Sequence, residues 1–240
     1  MPGLHSLPLW RTAPLRRELW WCAWAATVAV LLVVLLLELG DGPSAAVPPE
    51  PESTTAPSTF DSFSPDGPGG PDGLGRADSG PRWEEVSGSW GIIGGRAAVA
   101  SPASGQNVAV IETGSTDGTL QVSIPSMAAG AGAVFRYRDE GNRWQVTSST
   151  RYSTWVLEHV VDGEVAVRED VGLATVEDGT AIAVVFEGED VVLYVDGVAL
   201  LTASDGRPTA GSAVGLVVTE GEPGRARFDD LSFFTARDGT

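Results

Sequence analysis

The 240-residue chain has one cysteine, two histidines and no lysine. With Cys22 alone, neither an intramolecular disulfide nor a multi-thiolate zinc site can form, and His5 and His159 are too few for a histidine-rich metal centre. The lack of lysine removes the Gly-x-x-x-x-Gly-Lys phosphate loop. Positive charge is scarce too. Fifteen arginines face 32 acidic residues, and the resulting net charge of −17 opposes any surface that must hold phosphates, which excludes nucleic acid as a partner. There is no Gly-x-Ser-x-Gly elbow, and a Ser/His dyad in the C-terminal part would have only His159 to use.

Long apolar runs are absent but for one. Residues 19–37 carry no charge and only one hydroxyl, Thr27. At about 1.5 Å per residue such a run crosses roughly 30 Å of hydrocarbon. The expectation is a transmembrane helix over 19–39, with Trp20, Trp21 and Trp24 in the inner aromatic belt. Arg11, Arg16 and Arg17 precede it and Glu38 and Asp41 follow, so residues 1–18 are expected in the cytoplasm and everything after Gly40 outside the cell. A cleaved secretory signal, with Ser44-Ala45-Ala46 as its small-residue site, is the competing reading; the apolar run is longer than such signals use. Cys22 reads as a small apolar side chain within the helix rather than a lipid attachment point. Residues 40–58 are rich in Pro, Ser, Thr, Ala and Glu, cannot bury a core, and read as an extended disordered linker.

From 59 to 240 helical periodicity is nearly missing, and short β-rich runs take its place. They include 118–124, 131–138, 143–149, 153–161, 163–169, 180–188, 189–197, 212–220 and 226–235. Asp162-Gly163, Asp178-Gly179, Gly188-Glu189, Asp196-Gly197 and Asp205-Gly206 punctuate them where turns need a positive φ or an Asx hydrogen bond. About a dozen strands without crossover helices exclude parallel α/β and favour an all-β fold, a two-sheet antiparallel jelly-roll sandwich.

The order of several segments carries a resemblance. Phe60-Asp61-Ser62-Phe63, Leu74-Gly75-Arg76-Ala77-Asp78, Trp83 and Ser89-Trp90-Gly91-Ile92 resemble the opening of a bacterial laminin-G-like module of the concanavalin A-like lectin/glucanase superfamily. Gly132-Ala133-Val134-Phe135-Arg136-Tyr137 with Asn142-Arg143-Trp144 resembles its central hairpin, and Arg227-Phe228-Asp229-Asp230-Leu231-Ser232-Phe233 its closing strand. The resemblance implies a jelly roll that binds sugar, cleaves it, or serves adhesion. Glycanases of this resemblance carry Glu-x-Asp-x-Glu or Glu-x-Asp-x-x-Glu on one strand, which this chain lacks. The nearest strings, Glu187-Gly188-Glu189-Asp190 and Glu220-Gly221-Glu222, sit at glycine-marked turns and read as solvated carboxylates.

Sugar recognition needs an aromatic surface and a few polar groups. Strict alternation would put Phe135 and Tyr137 on one face of their strand and Arg136 and Arg138 on the other, with Arg143 and Gln145 opposing Trp144 on the next strand. The expected ligand-binding row is therefore Arg136, Arg138, Arg143 and Gln145, and the domain's acidity points to a neutral polysaccharide. His159 alternates with Trp155 and Leu157 and reads as a packing residue rather than a base. Asp229 and Asp230 need partners if either shares a face with phenylalanine. In domains of this resemblance the first and last strands are neighbours. Asp61, Asp229 and Asp230 would then hold a structural Ca²⁺, or the closing aspartates would bond to backbone amides or Arg227. The expected whole is a single-pass cell-membrane protein displaying a non-catalytic module for extracellular glycan. A protein-binding adhesion module, or an enzyme with an unrecognised carboxylate pair, is the alternative.

Overall fold

The computed structural model describes residues 56–149, 153–172, 176–207, 211–219 and 222–236. The expected cytoplasmic segment, transmembrane helix and most of the linker lie outside them, and none of the described helices is long and apolar enough to cross a membrane. The strands are β1 (Thr59–Asp61), β2 (Trp83–Ser87), β3 (Ser89–Ile92), β4 (Ala97–Ser101), β5 (Asn107–Glu112), β6 (Gly118–Ser126), β7 (Ala131–Asp139) and β8 (Asn142–Ser149). They continue as β9 (Thr154–Val161), β10 (Glu164–Gly172), β11 (Thr180–Glu187), β12 (Asp190–Val195), β13 (Val198–Ser204), β14 (Ala213–Val218) and β15 (Arg227–Thr235).

They form two antiparallel sheets of jelly-roll type. One runs β13-β12-β11-β6-β15-β4-β3 with β1 added against β15; the other runs β10-β9-β8-β7-β14-β5-β2. The inner faces supply the core. Trp144, Trp155, Leu157, Phe135, Leu216 and Ile111 from the seven-stranded sheet meet Phe186, Phe228, Leu231, Phe233 and Leu120 from the other, all essentially inaccessible to solvent. Phe135 lies 4.9 Å from Phe186, so aromatic contacts bind the sheets across the sandwich.

The turns follow the sequence chemistry. Asp162 and Gly163, and likewise Asp196 and Gly197, all have positive φ, so each Asp-Gly pair makes a two-residue turn whose twist suits the flanking strands. The first and last strands are indeed neighbours, with Phe60 opposite Ser232 and Asp61 opposite Leu231.

Two bulges depart from simple alternation. At Arg136 (φ 46°) the β7–β8 register shifts, so that Phe135 and Arg136 both turn toward the core while Tyr137 joins Val134 on the outer face. At Asp230 (φ 49°) the β15–β6 register shifts likewise, leaving Asp229 and Asp230 outside between the fully buried Phe228 and Leu231. Such a bulge inserts one residue and reverses the facing of everything after it.

Candidate functional site

The outer face of the seven-stranded sheet carries the densest polar chemistry of the described residues. β8 lies near its middle, flanked by β9 and β7, and alternation aims Arg143, Gln145 and Thr147 outward, away from the buried Trp144 and Val146. Cross-strand pairing sets Gln145 opposite both Glu158 on β9 and Val134 on β7, and Glu158 opposite Arg168 on β10. The side chains link up along this row. Arg168 Nη1 donates to Glu158 Oε1 at 2.5 Å, Gln145 Nε2 donates to Glu158 Oε2 at 2.8 Å, and Arg143 Nε donates to Gln145 Oε1 at 3.0 Å. Gln106, from the loop between β4 and β5, completes the chain. Its Oε1 accepts from Arg143 Nη2 at 2.8 Å, and its Nε2 donates to Gln145 Oε1 at 3.3 Å.

Apolar groups flank this row. Val108, Val110, Val134, Tyr137, Ala213 and Val217 form a second hydrophobic cluster, separate from the sandwich core. A cavity of about 300 Å³ opens beside Arg143, lined also by Ser87, Ala103, Ser104, Gln106 and Tyr137. Burial, then the nearby Glu140 carboxylate, push the Tyr137 hydroxyl up to about 12, so it stays a neutral donor at physiological pH. Burial also pulls the Arg143 guanidinium below its usual value. A guanidinium fork and two amides beside a modest cavity are groups able to bond hydroxyls.

Of the four residues expected to bind ligand, the structure brings two together. Arg143 and Gln145 share the row, though both are nearly inaccessible, at 7% and 3% exposure. Arg136 is on the other side of the sheet. Its guanidinium donates to Asp117 Oδ1 at 2.5 Å and to the carbonyls of Thr116 and Gly188 at 2.8 Å, and it lies over the Phe186 ring, so the bulge has turned it into an inter-sheet brace. Arg138 is half exposed and bonded to its neighbour Asp139 at 2.9 Å. Gln106, Glu158 and Arg168 were not expected, and Tyr137, an aromatic candidate expected inside with Phe135, faces outward. Glu158 was readable from alternation with Leu157 and His159, but nothing in the sequence signals that a loop delivers Gln106 to β8.

Asp61 and Asp229 lie near enough for the Asp229 charge to add to burial in raising the Asp61 carboxyl, but the expected calcium ligands bond to other partners. Asp61 is buried, and its two oxygens accept from Phe63 N at 2.9 Å and Trp83 Nε1 at 2.7 Å. Asp229 accepts from the amide of Asp230 and faces Arg96 at 3.8 Å, whereas Asp230 lines a shallow outer cavity with Gln121 and Tyr194. No group of three or more potential metal ligands forms among the described residues. The amide and arginine partners considered for the closing aspartates are what is found for Asp229, with Arg96 in place of Arg227.

Paired catalytic carboxylates do not stand out on this face either. Both oxygens of Glu158 are occupied, and Glu187 and Glu189 lie exposed at the β11–β12 turn, as expected. Glu220 lies outside the described residues. His159 is fully buried and stacks on Trp144, a packing residue rather than an accessible base.

No protein family model and no curated protein matches the chain. Solved structures similar to this chain include lectins, a carbohydrate-binding module and glucanases. The carbohydrate-binding module CBM66 from Bacillus subtilis is 17% identical, with a TM-score of 0.49, and the match covers 64% of this chain and 92% of that one. The β-glucanase of Bacillus licheniformis is 13% identical over 77% of this chain and 100% of its own, with a TM-score of 0.49. The exoplasmic/lumenal domain of VIP36, in a Ca²⁺/mannose-bound form, is 12% identical over 68% and 87%, with a TM-score of 0.48. At these identities the likeness concerns the fold.

Proposed function

We propose that the chain is a membrane-anchored, extracellular, non-catalytic binding module for glycan. The observation that carries this reading is the continuous side-chain row Arg168–Glu158–Gln145–Arg143–Gln106 beside Tyr137 and a cavity. Held rotamers and satisfied partners leave a preorganised polar surface, which limits the ordering cost of binding a weak, hydroxyl-rich ligand. The non-catalytic part of this reading is supported by Glu158, whose two oxygens are both engaged. The anchor rests on the uncharged run 19–37 and its arginine flank.

A glycan array probed with the full-length chain tests the binding reading. Retained binding is expected for the wild type and several-fold weaker binding for Gln145→Ala, which removes both an acceptor and a donor from the row. Membrane association is tested by carbonate washing followed by external protease, with the β domain released by protease and not by carbonate. A mature chain secreted from near Val47 would replace the anchor by a cleaved signal.

Adhesion between copies is supported by a different feature. β13 is an edge strand whose seven residues, VALLTAS, include no charge, and Val198 on it is 60% exposed. Concentration-dependent dimerisation abolished by Leu200→Lys would favour that reading.

A further inference from the structure

Arg143 is a buried cation with no carboxylate in contact; Glu158, Glu140 and Asp139 act on it only from a distance. All three of its hydrogen bonds end on neutral oxygens, those of the Gln145 and Gln106 side chains and the Glu140 carbonyl. Among the described residues no carboxylate lies within ion-pair distance of it, whereas Arg136, Arg138, Arg168 and Arg207 each have one. Gln145 stands between Arg143 and Glu158, and Arg168 already neutralises Glu158. Glu140, at the cavity mouth, is exposed and meets Arg143 through its carbonyl.

Removing a guanidinium from water is costly unless a partner charge compensates it. The natural complement is an anion brought by the ligand. Of the five guanidinium N–H groups three are in use, which leaves one on each terminal nitrogen beside the cavity. Two such donors in one plane match the two coplanar oxygens of a carboxylate.

We propose, building on the glycan reading, that the cavity at Arg143 takes the carboxylate of a hexuronic acid residue in an acidic polysaccharide. Arg143 holds the carboxylate by its terminal nitrogens, Ser87 and Ser104 face the sugar hydroxyls, and Tyr137 lines the wall. The net charge of −17, which points to a neutral glycan at the level of the sequence, acts chiefly on approach. It is screened beyond about 8 Å at physiological salt. Contacts made after arrival set the dissociation rate. The acid preference is thus a property of the site, opposed by the charge of the whole.

The test is calorimetric titration of the full-length chain with oligogalacturonate, oligoglucuronate and oligomannuronate, with the methyl ester of each, and with sulfated galactan. At least one uronate is expected to bind tenfold or more tighter than its ester and than the sulfated chain. Arg143→Lys, which keeps the charge and loses the fork, should weaken that uronate several-fold. Gln106→Glu provides a readout that does not depend on Arg143 variants folding. It places a carboxylate against Arg143 Nη2, so it should raise the melting temperature and abolish uronate binding. Acid and ester binding equally, sulfated galactan binding best, or uronate affinity unchanged in Gln106→Glu would each overturn the acid preference while the glycan reading stands. Failure of every glycan, acidic or neutral, to bind the wild type would overturn both.

Discussion

The carboxylate of Asp205, just beyond β13, lies 2.7 Å from Nδ1 of His159 on the inner face of β9. It ties the outer end of one sheet to the other. Arg207 Nε donates to both Asp205 oxygens at 2.9 Å, and its Nη2 donates to the carbonyl of Ala166 on β10, so the clasp spans both sheets. On its other side the His159 ring stacks on Trp144 at 4.3 Å, with only 10° between the planes.

This clasp gives stability an acid limb. Burial pushes His159 below its ordinary 6.5 against the pull of Asp205, so the folded state keeps it neutral. The unfolded chain takes up that proton first, and the stability due to His159, complete above pH 6.5, declines as pH falls below it. Burial alone would raise Asp205, but hydrogen bonds from Arg207 and His159 outweigh it and hold the carboxyl at about 2. Its contribution is present above 3.8 and is lost between 3.8 and about 2. Melting temperature is therefore expected to fall from pH 6.5 downward and more steeply below pH 4. Asp205→Asn should lower stability at pH 7 by about 2 kcal/mol, typical of a hydrogen bond to a charged group, and flatten the lower limb. A melting temperature constant from pH 7 to 4.5 would contradict the neutral, clasped histidine.

Arg136 should matter to folding and not to ligand contact. It is 5% exposed and braces the loop before β6 and the β11–β12 turn. Its partner Asp117 is 37% exposed, so solvent screens part of the pair. Arg136→Met is expected to cost about 2–3 kcal/mol in chemical denaturation, toward the lower range for breaking a buried pair. Arg136→Gly suits φ 46° better but loses the same brace. Stability rising in Arg136→Gly would show that backbone strain outweighs the brace.

Two glycines separate close approach from turn geometry. A Cβ at Gly132 on β7 would lie 1.9 Å from the carbonyl oxygen of Val146 on β8, so Gly132→Ala must part the strands that carry the site. Gly163 at the β9–β10 turn has φ +84° and open space around it, so Gly163→Ala meets only the backbone penalty of about 1–2 kcal/mol. Thermal melts should show Gly132→Ala well below Gly163→Ala; the reverse order would be inconsistent with the β7–β8 spacing.

Asp61 should behave as a hydrogen-bond acceptor rather than a metal ligand. In Asp61→Asn the amide nitrogen must face one of the two N–H donors, Phe63 N or Trp83 Nε1, which removes one bond. A loss of about 1–3 kcal/mol is expected from the donor left unpaired. The loss should be the same in millimolar Ca²⁺ and in chelator. A melting temperature raised by Ca²⁺ in the wild type and not in the variant would restore the metal.

The strands from β6 onward were largely readable, because period-two patterning and Asp-Gly turns mark them. The run over 131–138 became β7 over Ala131–Asp139, and 180–188 became β11 over Thr180–Glu187. Separate strand β13 went unread although Asp196-Gly197 and Asp205-Gly206 bracket it, because its uncharged run VALLTAS lacks a clear period-two alternation. Alternation failed at one residue of β7. Alternation assumes one residue per pleat, and Arg136 takes a left-handed φ without being glycine, so nothing announced the bulge that carries it inward. The same device at Asp230 removed the expectation of a carboxylate sharing a face with phenylalanine. Arg143 and Gln145 face outward as alternation implies because β8 pairs with β9 without a register break.

Any pull travelling along the chain from its N-terminal side enters the domain at Thr59. The first element to meet that load is β1, three residues long and bonded on one side to β15. Its last residue, Asp61, is pinned through Trp83, a residue of the opposite sheet. Peeling β1 would first break a few hydrogen bonds to β15, and the load would then pass through the Asp61–Trp83 bond into the other layer. Trp83 opens β2 and Ser87, at its other end, lines the cavity at Arg143, so a load that outlasts β1 reaches a strand that helps build that cavity.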